Sequence, residues 1–113
     1  MRLIRNISTD AFQQHTILID SGEIILKLRY YSVTQLWFMD AQYRSEEIKG
    51  VKLSLGVRHM NAQNWPFDFI IEDASGQGID PFQLTDFADS RCFLYMLEAD
   101  EVESIRGYSV RLQ

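Results

Sequence analysis

The chain has one cysteine, two histidines and two prolines among 113 residues. A single cysteine, Cys92, excludes an intrachain disulfide and a thiolate metal cluster. It sits inside "RCFLYML", where a thiol behaves as a small buried hydrophobe. A nucleophilic role would need a basic partner, and neither His15 nor His59 is near it in sequence. The two histidines share no metal-ligand spacing. No apolar run approaches the ~20 residues of a membrane span, so no membrane association is expected. The start, "MRLIRNIST", is too polar for a signal peptide, which points to a protein made in a reducing cytosol. Positive charge is also scarce. Eleven Lys and Arg face sixteen Asp and Glu, for a net charge of −5. Residues 1–58 carry eight basic and six acidic side chains, whereas residues 59–113 carry three and ten. An acidic half repels a phosphate backbone, so no nucleic-acid recognition is expected, and the split favours protein partners.

What is present is a folding sequence with a period of two. An apolar share of 46% and a charged share of 24% are ordinary for a globular chain, so disorder is not the default. In "EIILKLRYY", Ile24, Leu26, Leu28 and Tyr30 fall on one face and Glu23, Lys27 and Arg29 on the other, as in a half-solvated strand. "HTILID" precedes it across Ser21-Gly22, a hairpin signal. "LWFMDAQY", "VKLSLGV" and "FDFIIED" read as further strands, with a turn or bulge at Lys49-Gly50 where the phase slips. "RCFLYML" is apolar on both faces and reads as a central strand covered on both sides. "EADEVESIRG", with early acids and a terminal glycine, predicts one short helix, and "YSVRL" a last strand. About seven short strands and one helix near the C-terminus imply an all-β domain, a small barrel or sandwich spanning residues 1–113.

One stretch, "DASGQGIDP" at residues 73–81, looks like a site. Aligned as a calcium loop, it needs a bidentate glutamate where Leu84 stands, and no helix flanks it. As a phosphate cradle it lacks a third glycine, a lysine and a helix start. As a turn, every residue has a role. The Asp73 carboxylate caps amides, Gly76 and Gly78 supply positive φ, and Asp80 before Pro81 is held extended with its side chain directed at amides near Phe82 or Gln83. Asp86 and Asp89 are expected to do the same before the central strand. No carboxylate pair or nucleophile elbow suggests catalysis, so no enzyme activity, metal or cofactor is expected. Aromatic residues are plentiful for so small a domain. Near loops, Tyr31, Trp65, Phe67 and Phe82 are the candidates to meet a partner.

The runs "LKLRYYSVTQLWFMDAQY", "GVKLSLGVRHM" and "FIIEDASGQGIDPFQLTDFADSRCFLYM", in that order, resemble the small baseplate plug proteins of contractile-tailed phages, of the kind described from a cyanophage. The resemblance spans about residues 15–108. It implies a non-enzymatic virion protein of the tail baseplate, assembled in the host bacterial cytoplasm. It would close the central lumen in several copies, against hub, tail-tube initiator and spike. The recurring positions correspond to Leu28, Arg29, Tyr30, Trp37, Asp40, Gly50, Gly56, Asp73, Gly76, Asp80, Pro81, Arg91 and Tyr95, all expected to determine the fold. The residues alone leave an alternative open, a stand-alone β-barrel adaptor or inhibitor that binds a protein through a sheet edge.

Overall fold

The computed structural model describes residues 1–60 and 63–104. Its strands are β1 (Arg2–Leu3), β2 (Phe12–Ile19), β3 (Gly22–Tyr31), β4 (Leu36–Tyr43), β5 (Glu46–Lys52), β6 (Asp68–Asp73) and β7 (Cys92–Leu97). A short helix, α1, covers residues 99–104. Two antiparallel sheets result, one in the order β2-β3-β4-β5 and one in the order β1-β7-β6. The molecule is all-β, and among the described residues neither sheet closes into a barrel.

Alternation along the strands builds the core. Ile17 of β2, Ile24, Leu26 and Leu28 of β3, and Trp37, Met39, Ala41 and Tyr43 of β4 are buried on one face of the larger sheet. They share one apolar cluster with Phe69 and Ile71 of β6 and Cys92, Leu94 and Met96 of β7. Each large side chain so buried contributes about 1.5–3 kcal/mol, which makes the inward face the main determinant of strand register. The first hairpin pairs Ile19 with Gly22, so its two-residue turn is Asp20-Ser21, one position earlier than Ser21-Gly22.

The strand expected at residues 51–57 is displaced toward the N-terminus. Pairing runs Tyr43 with Glu46, Ala41 with Ile48 and Met39 with Val51, which leaves Lys49 and Gly50 opposite Asp40 alone. This is a β-bulge. Gly50 takes φ +70°, a conformation that costs little only without a Cβ. Asp40 Oδ1 accepts the Gly50 amide at 2.8 Å and an Arg29 guanidinium N–H at 2.7 Å, which pins the bulge from below. The ladder ends where the Leu53 amide donates to the Trp37 carbonyl at 2.9 Å. Beyond it, side chains satisfy the backbone. Ser54 donates to His59 Nε2 at 3.0 Å and Leu55 to Asp80 Oδ1 at 2.9 Å. An alternating apolar pattern therefore continues past the strand that it suggests.

The β7 strand is central in its sheet, fully covered on one face and partly on the other. Leu94 and Met96 are buried, while Phe93 and Tyr95 stay half-buried on the outer face. The two-residue β1 was not foreseen, since so short a segment carries no periodicity. The helix lies within the segment expected for it, with Val102 buried. The strand expected at "YSVRL" lies outside the described residues.

Candidate functional site

The aspartate-glycine stretch forms the hub of a loop that closes one end of the molecule. Asp73 ends β6, and its Oδ1 accepts the Ser75 amide at 2.9 Å and the Ser75 hydroxyl at 2.6 Å. Its Oδ2 accepts the Ile79 amide at 3.1 Å. Gly76 and Gly78 take φ +74° and +71°. The Ser75 hydroxyl first, then the Ile79 and Ser75 amides and the nearby Arg91 cation, hold the Asp73 carboxyl down to about 2. Asp80 does not cap the amides beside it. It reaches across to the Leu55 amide, and Lys52 Nζ lies 3.5 Å from its Oδ2. The adjacent caps come from Asp86, whose Oδ2 accepts the Phe82 and Gln83 amides at 2.7 and 2.8 Å.

Arg91 ties these turns together. It donates through Nε and Nη2 to both oxygens of Asp86, at 2.9 and 2.8 Å, in a bidentate pair. It also donates to the Ile79 and Asp80 carbonyls, at 3.1 and 3.0 Å, and its guanidinium lies 5.2 Å from the centre of the Phe82 ring. Asp86 is fully buried. Burial alone would push its carboxyl upward. The Arg91 hydrogen bonds and the Gln83 and Phe82 amides outweigh that, and the carboxyl is held low. The loop in turn docks on the larger sheet, because the Tyr30 hydroxyl donates to the Phe82 carbonyl and Trp37 Nε1–H to the Gln83 carbonyl. Chemically, the polar atoms of this cluster are engaged with backbone and with one another. Cys92 beside it is buried, which pushes its thiol up to about 11, although Arg91 draws it the other way. A thiolate nucleophile is thus disfavoured at neutral pH.

The four aromatic candidates separate. Trp65 and Phe67 are interior, at 3% and 1% exposure, so neither offers a surface to a partner in this chain. Trp65 stacks on Phe67 at 5.2 Å, and Phe67 meets Tyr43 and Phe69 edge-on. A position near a loop suggested exposure, but the segment before β6 packs Trp65 and Phe67 into the core. Phe82 is half-buried beneath Arg91. Tyr31 is exposed at the end of β3, with its ring 5.5 Å from Phe38.

Tyr31 has company that the sequence reading missed. Phe12, Arg29 and Phe38 lie in one cross-strand row and Tyr31 and Leu36 in the next, all on the outer face of the larger sheet. Phe12 is 61% exposed, and Val33, in the turn beyond, is 96% exposed. An exposed aromatic and aliphatic cluster with one arginine has the composition of a protein-binding patch. The signal was available. With Ile17 inward, a period of two turns Phe12 and Leu18 outward.

A protein-family model described as "Cyanophage baseplate Pam3 plug gp18" matches residues 1–100. The chain belongs to this family. No curated protein matches it. Membership in the plug family supports a structural role in a phage tail baseplate, and for a structural part an adhesive patch is more pertinent than a reactive cluster. The family match takes in every element described here from β1 to β7, including the Asp73–Arg91 loop and the outer patch.

Proposed function

We propose that the chain closes the central lumen of a contractile tail baseplate through protein–protein contacts, as several copies of a single β unit seated against hub, tail-tube initiator and spike. The observation that carries this reading is the family match over residues 1–100. The structure supports it in two ways. The Asp73–Arg91 loop is braced by charge-assisted hydrogen bonds, as a part under load requires. The patch at Phe12, Tyr31, Val33 and Phe38 supplies large apolar contacts at the end of a rigid sheet. Phe82, at the margin of the loop, is the second contact point. The chain is non-enzymatic in this reading, since its buried carboxylates serve backbone amides and the guanidinium groups of Arg29 and Arg91. It is assembled in the host cytoplasm and resides in the virion tail.

The test is co-expression with the hub, tube-initiator and spike proteins of the same phage, read by size exclusion. Co-elution with any of the three, lost when Phe12 and Tyr31 are both changed to serine, is the expected result. Co-elution with none, together with a stable association with a host protein, would favour the adaptor reading instead.

A further inference from the structure

Among the described residues the larger sheet ends at β2 and β5, and the smaller sheet at β1 and β6. An open strand edge invites another strand, and proteins blunt it with charge, a bulge, shortness or a covering loop. Three of these four edges are blunted in such ways. β5 carries the bulge at Gly50 and the charged side chains of Glu46, Glu47, Lys49 and Lys52. β1 is two residues long. On β6 the His59 amide donates to the Phe69 carbonyl at 3.1 Å, and Asp68, Glu72 and Asp73 add negative charge.

β2 has none of these devices. Its eight residues, "FQQHTILI", include no Asp, Glu, Lys, Arg, Pro or Gly, and its register with β3 runs from Phe12–Arg29 to Ile19–Gly22 without a bulge. The Tyr30 amide donates to the Ala11 carbonyl, so odd-numbered residues bond to β3. Phe12, Gln14, Thr16 and Leu18 therefore aim their N–H and C=O groups away from it, and all four are exposed. Among the described residues only the Leu18 carbonyl finds a partner there, the Arg2 guanidinium at 3.1 Å.

The strand is complementary to itself. Laid antiparallel on a second copy about an axis at His15, Phe12 stands opposite Leu18 of the second copy, and Gln14 opposite Thr16 of the second copy. Each such pair exchanges both of its main-chain hydrogen bonds. The two Phe12–Leu18 contacts cover side chains that are 61% and 72% exposed in a single copy. A register two residues away would set Leu18 against Asp10 or Phe12 against Asp20. The His15 side chains meet at the axis, and burial lowers the His15 pKa, so both are uncharged at neutral pH.

We propose that β2 is a self-association edge, at which two copies of this chain pair antiparallel with Phe12 opposite Leu18 and join their larger sheets into one. The inference rests on this strand and not on the baseplate reading.

The test is sedimentation equilibrium of the full chain over a dilution series at neutral pH, and a reversible dimer is the expected result. Gln14→Lys with Thr16→Lys places like charges opposite each other at both inner pairs and should leave only monomer. Gln14→Glu with Thr16→Lys places opposite charges there and should keep the dimer. Both positions are exposed, so the urea midpoints of the two variants should match the parent's, which separates lost pairing from lost folding. A natural chain that stays monomeric at every concentration would overturn the proposal. A dimer that survives the paired lysines would overturn it too, since it must use another surface. Equal loss of the dimer in both variants would refute the register.

Discussion

Removing the Asp86 carboxylate should destabilise the protein more than any other single polar change in the loop. Asp86→Ala takes away an acceptor for two backbone amides and for both arms of the Arg91 fork. Breaking a buried ion pair from one side costs about 3–5 kcal/mol. The Arg91 side chain retains 17% exposure and keeps two carbonyl acceptors, which moves the expectation to the lower end, about 3 kcal/mol. For 113 residues the entropy of unfolding is about 0.24 kcal/mol per kelvin, so the melting temperature should fall by roughly 12 °C. The assay is urea unfolding followed by tryptophan fluorescence, with the slope checked against the parent so that a change in midpoint reads as a change in stability. A double-mutant cycle with Arg91→Met then isolates the pair, and a coupling of at least about 1 kcal/mol is expected. A loss below about 1 kcal/mol for Asp86→Ala would refute the reasoning, because the loop would then hold without its central anchor.

Asp73, whose folded carboxyl sits at about 2 against an unfolded value near ~3.9, contributes stability that is present above about pH 4 and lost as pH falls toward 2. Asp73→Asn should therefore flatten the decline of the urea midpoint across that acid window, and an unchanged decline would contradict the assignment. Cys92, with its thiol raised to about 11, should resist a thiol-reactive dye at pH 8 in the native protein and react fully in denaturant. Rapid native labelling would show that the site is open. Gly50→Ala, at φ +70° with open space around the added carbon, should cost about 1 kcal/mol through backbone strain alone. Trp65→Ala should cost about 3–5 kcal/mol, as for a core aromatic, whereas Tyr31→Ala should change stability by less than about 0.5 kcal/mol.

Strong alternation made β3 and β4 legible from sequence, because one face of each strand is core and the other is wet. The same rule missed β5. A bulge at Lys49-Gly50 reverses the phase within the strand, and the regular pattern in "VKLSLGV" extends past the last ladder bond at Leu53. Aromatic residues near loops divided for a reason that no local pattern carries. Trp65 and Phe67 are drawn under Tyr43 by tertiary packing, while Phe12, in a strand read as beginning at His15, emerged as a surface residue only once the register was known. The identity of the caps in the Asp73–Arg91 loop was equally hidden. Asp80 and Asp86 are both placed to cap Phe82 and Gln83 by sequence distance, and only the fold shows that Asp80 turns to Leu55.

The most direct measurement is a cryo-electron microscopy map of the intact phage tail before contraction. The account predicts density for this β unit inside the baseplate centre, in several copies, with the Phe12–Tyr31–Val33 patch buried against a neighbouring chain. A central lumen filled by another protein, with this chain absent from the particle, would contradict it.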